Sequence, residues 1–505
     1  MKWLVILMYV GMLLVVGYLG MKKTRTVDDF FLGNRSIGPW VSAFAYGTTY
    51  FSAVLFIGYA GKVGWGFGLS SLWIVLGNAL IGSYLAWKVL AGRTRAMTSR
   101  LGTLTLPEFL AARYDSKALK IVAALIIFIF LVPYSASVYM GLSYLFEEIF
   151  GIPFIQALLF MALLTALYLV MGGYFALTLT DFIQGLVMIG GVILLLVYVV
   201  GSPQVGGIGA AIEKLARVNP QLVKPVGPPG VIPLVSLVIL TSLGTWGLPQ
   251  MVQKFYSIKD EKSIPQAIFV STGFAFLMTF GAYFTGALSR LFFEQVPQGN
   301  PDVIMPQIIS QALPEAVAVV ILLLVLAASM STLASLVLVS SSAIAIDLVQ
   351  EIIPNLKKDR VVLLMRVLCV VFIGLSLYIA LKPTIILNLM SISWGTVAGA
   401  FLAPYLYGLY WKGVTRAGAW SGVISGLGIS LGLSLLNWLQ VKLPFTGGLS
   451  IPVIGSLAIV IPLLVVPAVS WITEGYPEEH LKRVFGYEKS QLECGKEGLV
   501  THDLG

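Results

Sequence analysis

Thirteen apolar runs, each near the ~20 residues that cross a bilayer as a helix, follow one another along almost the whole chain. They lie near residues 3–20, 37–61, 67–89, 119–146, 154–172, 179–200, 231–251, 264–291, 313–345, 361–381, 384–411, 415–439 and 450–473, numbered below as spans 1–13. Segments in hydrocarbon must satisfy their backbone polar groups internally, so the pattern predicts an all-α polytopic membrane protein with about 13 transmembrane helices. Only 11% of the residues are charged and 58% are hydrophobic, where a soluble domain carries roughly a quarter charged residues. The first run has the length of a signal peptide, but no small-residue cleavage site follows it and the next segment is a short charged loop.

An odd number of spans puts the two ends on opposite sides. With the loop 21–36 on the cytoplasmic side and sides alternating thereafter, cytoplasmic segments hold 24 of the 32 Lys and Arg, including Lys22, Lys23, Arg25, Arg93, Arg95, Arg113, Lys357, Lys358 and Arg360. That bias predicts a cell-membrane protein with its amino end outside and its tail, 474–505, in the cytoplasm. The net charge of +9 is thereby spread along the loops, whereas a nucleic-acid surface needs it gathered on one soluble face. Residues 1–473 read as one transmembrane domain, with one short helix expected around Ala210–Val218 in the long outer connection 202–230.

Composition also removes chemistries. Both histidines, His480 and His502, fall in the polar tail, so no imidazole lies among the spans to ligate a metal or relay protons. The two cysteines, Cys369 in an apolar run and Cys494 in the tail, form no disulfide framework. No Gly-rich Lys-Ser/Thr loop is present to cradle a nucleotide phosphate, so ATP-driven transport has no motor in this chain.

Three spans carry unusual patterns. Span 2 concentrates Gly47, Thr48, Thr49, Tyr50 and Ser52 at its middle, where small and β-branched residues weaken a helix and freed carbonyls can face a cavity. Packing of small residues against a neighbour explains the same segment. Span 7 is interrupted by Gly244-Thr-Trp-Gly-Leu-Pro249, and Pro249 removes a backbone donor. The two disrupted spans are five apart, so spans 2–6 and 7–11 divide into two five-helix halves, about 37–200 and 231–411, each opening with a broken helix; such a pair points to a transporter's central site. On span 9, Ala328, Ser331, Thr332 and Ser335 share one helix face, offering oxygens to a small hard cation or hydroxyls for back-bonding and packing. Intramembrane acids are nearly missing; Asp181, at the expected cytoplasmic start of span 6, reads as a helix N-cap, a cation relay or a gate contact.

At these residues the chain resembles the sodium:solute symporter family. The resemblance rests on Asp29-Phe-Phe-Leu-Gly-Asn-Arg-Ser-Ile-Gly-Pro-Trp40, on Gly172-Gly173 followed by Thr180-Asp181-Phe-Ile-Gln184, and on Ala327-Ala-Ser-Met-Ser-Thr332. It implies a leucine-transporter-type core of two inverted five-helix repeats and sodium as the coupling ion. It further implies a sodium site between spans 2 and 9, made by the carbonyls of Thr48, Phe51 and Ala328 and the hydroxyls of Ser331 and Thr332. Some members hold a second sodium at the acid matching Asp181; Ser335 suits that role, but Ala334 stands where relatives have serine. Ala91-Gly-Arg-Thr-Arg95, Leu104-Thr-Leu-Pro-Glu-Phe109 and Pro133-Tyr-Ser-Ala-Ser137 resemble proline carriers, in which the residues matching Tyr134 and Pro249 are tied to substrate. Tyr50 and Val54 stand where those carriers have an acid and a tryptophan. Thr49-Tyr-Phe-Ser-Ala53, Gly247-Leu-Pro-Gln250 and Ser257-Ile-Lys-Asp260 are instead similar to pantothenate permeases.

The expected activity is sodium-coupled import of a small carboxylate-bearing solute, with proline or a similar amino acid favoured over pantothenate or a monocarboxylate. The expected solute contacts are Tyr50, Ser52, Tyr134, Trp246 and Pro249. Lipid surrounds the protein, and neither a nucleic acid nor an obligate protein partner is expected. A membrane-embedded acyl or glycosyl transferase is the rival of another class, and it would need buried acid–base groups that the spans nearly lack. A solute sensor would need a signalling module on the tail.

Overall fold

A computed structural model of the chain describes residues 2–23, 37–382, 384–439 and 449–486. The motif segment 29–36, His502 and Cys494 lie outside the described residues. Within them the fold is all-α, without a strand, and each of the thirteen apolar runs falls on helix. Among the described residues nine helices are long and apolar enough to cross a membrane, a bent pair forms a tenth, and Lys2–Val16 and Phe154–Leu167 are shorter apolar helices. Thirteen separate spans do not emerge directly from that description, because two helical stretches each cover two runs. Val54–Leu101 contains the outer half of span 2 and all of span 3, broken by a left-handed φ of +60° at Gly68, where any Cβ would meet the Leu222 carbonyl at 2.5 Å. Phe154–Gly201 is helical throughout and covers spans 5 and 6. The helix expected in the outer connection is present as Ile208–Val218.

Burial sorts the spans. The most apolar windows of span 9 (within Glu315–Ile352) and span 11 (Ile386–Tyr410) are 83% buried, whereas those of span 10 (Arg360–Ala380) and span 12 (Arg416–Trp438) are 28% buried. The first pair therefore forms the centre of the bundle and the second its lipid-facing edge, where Leu363, Val367, Ile424 and Leu435 are exposed. Small residues allow the closest crossings. A Cβ on Gly286 of span 8 would lie 2.1 Å from the Ala60 carbonyl oxygen of span 2, so these two helices touch backbone to backbone.

Connections at both ends of the bundle clasp the core. Ile37 N–H donates to the Ser257 carbonyl at 3.3 Å and Lys259 N–H to the Ile37 carbonyl at 3.0 Å, which ties the start of span 2 to the end of span 7. In the tail, helix Glu478–Phe485 rests on one end of the bundle: Arg100 donates to the Val484 carbonyl at 3.0 Å, and His480 Nε2 lies 2.9 Å from the Arg113 carbonyl. On the other side, Asp302 sits in the connection between spans 8 and 9. Its Oδ2 accepts the Ile386 N–H at 3.0 Å and so caps the first turn of span 11. Gly58 and Gly61 of span 2 admit this connection; a Cβ on Gly61 would meet the Pro301 carbonyl at 2.5 Å.

Burial pushes the Asp302 carboxyl up to about 6, against the lowering pull of the Ile386 N–H and of Lys62. A carboxyl raised above its unfolded value near 3.8 adds stability that is complete below about pH 4 and lost as pH rises through about 6. Asp302→Asn, which cannot ionise, is therefore expected to flatten this part of the profile between pH 4 and 6 and to be roughly 1–3 kcal/mol more stable than the wild type above it. Melting curves of both proteins across pH 4–7 test this, and identical slopes would remove Asp302 as their source.

Candidate functional site

The break in span 2 is a redirection of backbone hydrogen bonds. Helix Pro39–Tyr50 ends at Phe51, whose φ of −113° and ψ of 126° are extended, and helical winding resumes at Ala53. In an unbroken helix the N–H groups of Ala53, Val54 and Leu55 would bond the carbonyls of Thr49, Tyr50 and Phe51. Here Ala53 N–H donates to Ser329 Oγ at 3.0 Å, Val54 N–H to Ser52 Oγ at 3.2 Å, and Leu55 N–H to the Ser52 carbonyl at 3.0 Å. Three carbonyls thus lose their helical donors inside the bundle. The hydroxyls that take two of these donors are Ser52, at the break itself, and Ser329, which reaches across from span 9.

Opposite it stands the hydroxyl face of span 9. Thr332 Oγ1 lies 3.2 Å from the Thr48 carbonyl oxygen, 3.2 Å from that of Thr49 and 3.0 Å from that of Ala328. One hydroxyl hydrogen cannot satisfy three carbonyls, so oxygen lone pairs are in surplus at this point. Ser331 Oγ, one residue earlier, donates to Asp181 Oδ1 at 2.6 Å and lies 2.8 Å from Thr48 Oγ1. All of these groups are buried. The structure thereby brings together the carbonyls of Thr48 and Ala328 with the hydroxyls of Ser331 and Thr332; Phe51 stands at the break itself. Such neutral, hard oxygens suit an alkali cation, and no cluster of three His, Cys, Asp or Glu that could hold a metal occurs among the described residues.

Asp181 is not an N-cap. It lies inside the continuous helix Phe154–Gly201, and its carboxylate turns into the bundle, wholly buried. Besides Ser331 it meets Lys254, whose Nζ is 3.6 Å from Oδ2 and 3.3 Å from Ser335 Oγ; Ser335 Oγ is in turn 3.0 Å from Thr49 Oγ1. Asp347, just past the end of span 9, is also wholly buried and accepts from Thr105 Oγ1 at 2.7 Å. The interior is therefore richer in acids than the sequence pattern indicates.

A cavity of about 20 Å³ adjoins the break. Its walls include Tyr50, Ser52, Tyr59, Asn78, Tyr134, Thr241, Tyr283 and Trp394. Tyr50 donates to the Thr241 carbonyl at 2.6 Å, and the Tyr134 and Trp394 rings meet edge to face at 5.6 Å. At roughly 10–15 Å³ per water this volume admits little more than one, so an organic solute enters only when the aromatic walls part. Of the five expected solute contacts, Tyr50, Ser52 and Tyr134 line this cavity. Trp246 points elsewhere, donating to the Ile81 carbonyl at 3.0 Å, and Pro249 borders a separate inner cavity with Thr105, Gln253 and Asp347.

Comparison with known proteins matches the sodium:solute symporter family over residues 30–426. The chain belongs to that family. Among this symporter's relatives, a sodium/proline symporter of Staphylococcus aureus (strain bovine RF122 / ET3-1) is 32% identical over 440 residues, 84% of each chain. The osmoregulated proline transporter OpuE of Bacillus subtilis (strain 168) is 30% identical over 491 residues, 96% of this chain and 97% of OpuE. A sodium-coupled sialic acid symporter solved in a substrate-bound outward-open state superposes with a TM-score of 0.72 at 19% identity, over 92% of this chain and 97% of that one. The nucleobase-cation symporter Mhp1, closed on bromovinylhydantoin, gives 0.52 at 16% identity over 91% and 98%. The symporter accordingly has the leucine-transporter type of fold, works as a sodium-coupled carrier of a small molecule, and is a multi-pass membrane protein.

Trp394, Asn78 and Lys254 were not among the sequence candidates. Trp394 and Asn78 are ordinary members of apolar runs, and only the fold turns them toward the cavity.

Proposed function

We propose that this symporter imports proline, or a closely similar amino acid, together with sodium. The names of its relatives at 30% identity and above support the solute, and the surplus of oxygens around Thr332 supports the ion. In this reading sodium is held by the carbonyls of Thr48, Phe51 and Ala328 and the hydroxyls of Ser331 and Thr332, bridging spans 2 and 9. The ion draws in the Phe51 carbonyl, which the break leaves without its helical donor, and so orders the residues beside the solute. The carboxylate of the solute faces the start of the half-helix Val54–Gly64, whose N-terminal end carries positive partial charge. Tyr50, Ser52 and Tyr134 contact the solute directly; Trp246 and Pro249 flank the break in span 7 that must bend for its release. The inverted repeats run over about 37–200 and 231–411, with the amino end outside and the tail 474–505 inside. The protein performs no covalent chemistry and needs no nucleic-acid or permanent protein partner.

The gradient is sufficient for accumulation. One sodium crossing ~100 mV down a tenfold concentration ratio releases roughly 3.7 kcal/mol, equivalent to several-hundred-fold concentration of the solute.

Uptake into proteoliposomes with an imposed sodium gradient, against choline at the same pH, tests the proposal with labelled proline, pantothenate and short monocarboxylates. Sodium-driven accumulation of proline is expected. Accumulation of pantothenate or a monocarboxylate in its place would overturn the solute, and equal uptake in choline would overturn the ion.

A further inference from the structure

We propose that a second cavity, one helical turn beyond the solute cavity and bordered by Lys62, is a capture site for the incoming solute. The Lys62 ammonium takes the solute's carboxylate there before the aromatic walls around Tyr134 and Trp394 part to admit it. The inference rests on the proposed import of a carboxylate-bearing solute and adds the step that precedes central binding.

Three observations carry it. First, the cavity has the place of an entry. It is walled by residues of spans 2, 7 and 11, with the end of span 12 and the start of span 13. Along the first three helices it lies one turn from the solute cavity: Lys62 and Val63 follow Tyr59, Leu237 precedes Thr241, and Leu387 precedes Met390. Because successive spans alternate in direction, all three steps lead to one end of the bundle. It is the end at which Asp302 caps span 11, and which the proposed topology turns outward. Second, the cavity has room. At about 490 Å³ it has the volume of a small-molecule site, where the solute cavity of about 20 Å³ holds little more than one water.

Third, the cavity has an unmatched charge. Lys62 is the charged residue on its described walls, and among the described residues it forms no ion pair and donates no hydrogen bond. Asp302, whose charge it feels, is wholly buried and spends Oδ2 on the Ile386 N–H, so the ammonium keeps no carboxylate in contact. Lys62 is partly buried, and the apolar wall of Phe67, Pro233 and Leu237 displaces the water that would screen it. Asn388 and Asn437 add amide oxygens that suit the ammonium of an amino acid. This combination selects a small carboxylate, whereas a lipid chain in the same space would leave the cation unmatched. A solute held here meets the central site more often, while the conformational steps that limit a saturated carrier stay as they are.

Uptake of labelled proline, pantothenate and short monocarboxylates into proteoliposomes at fixed sodium tests this, with KM measured for whichever accumulates. Lys62→Gln is expected to raise KM roughly 3- to 10-fold at an unchanged maximal rate, and Lys62→Arg to stay within about twofold of the wild type. Added choline chloride should raise the wild-type KM by screening and leave that of Lys62→Gln level. Asn388→Asp gives Lys62 a resident partner and should raise KM as well, an independent route if Lys62→Gln does not fold. An unchanged KM in the folded variants would overturn the proposal. So would a Lys62→Gln protein whose KM returns to the wild-type value on adding Asp302→Asn, since the ammonium would then serve only to offset that carboxylate. Failure of the wild type to accumulate any of these carboxylates would overturn the underlying reading of the solute instead, and the capture site with it.

Discussion

Asp181→Asn is expected to destabilise the protein by about 3–5 kcal/mol, among the largest effects available to a single substitution in this chain. The asparagine keeps an oxygen within reach of the Ser331 hydroxyl, so the hydrogen bond at 2.6 Å has a replacement acceptor. What it removes is the charge opposite Lys254, 3.6 Å away in a region with no exposure to solvent. An ammonium left in such a place has no water to turn to, and desolvation dominates over any loss of attraction. The same argument says that the pair as a whole contributes little. Lys254→Met in the Asp181→Asn background should restore most of the lost stability, because a well-packed apolar side chain removes the stranded charge. A double-mutant cycle of melting temperatures in detergent checks this, with a coupling energy of at least about 2 kcal/mol expected. Additive effects of the two single substitutions would show that the ammonium and the carboxylate are not paired in the folded protein.

Lys254 also shows where a sequence reading stops. The broken span 7 is legible, since Gly244, Gly247 and Pro249 weaken any helix. The consequence of the break is not. Lys254 stands five residues past Pro249, near Lys259 and Lys262, and in a count of basic residues it joins the cytoplasmic flank that signals orientation. Only the 48° bend turns that flank back into the bundle. The N-cap alternative for Asp181 fails for a related reason. Asp181 stands at the expected start of span 6, where a cap belongs, but the helix runs on through Phe154–Gly201 and leaves no free N–H group for a cap to serve. By contrast, the hydroxyl face of span 9 and the weak centre of span 2 are visible in residue spacing alone, because helical periodicity fixes which side chains share a face before any tertiary contact exists. What spacing cannot supply is the partner across the gap. Whether Thr332 packs, bonds back to its own turn or faces the carbonyls of Thr48 and Thr49 is decided by which helix lies opposite.

That partnership sets the second large effect. Thr332→Ala is expected to raise the half-saturating sodium concentration for solute uptake roughly 10- to 100-fold, and Ser331→Ala to act in the same direction. Each substitution removes one neutral oxygen from a site that has no carboxylate of its own, since the charge of Asp181 is already matched by Lys254. Loss of one hydrogen-bond-strength contact to a charged group corresponds to about 1.5–3 kcal/mol, which gives the stated range. The two variants should differ in a second respect. Thr332→Ala also takes away the one hydroxyl hydrogen shared among the carbonyls of Thr48, Thr49 and Ala328, so sodium-free protein should lose stability and regain it on adding the ion. Ser331→Ala instead strips Asp181 Oδ1 of its donor at 2.6 Å, a loss that sodium at the first site does not repair. Sodium titrations of uptake, run beside melting curves with and without sodium, separate the two. An unchanged sodium requirement in both variants would show that the ion binds elsewhere in the bundle.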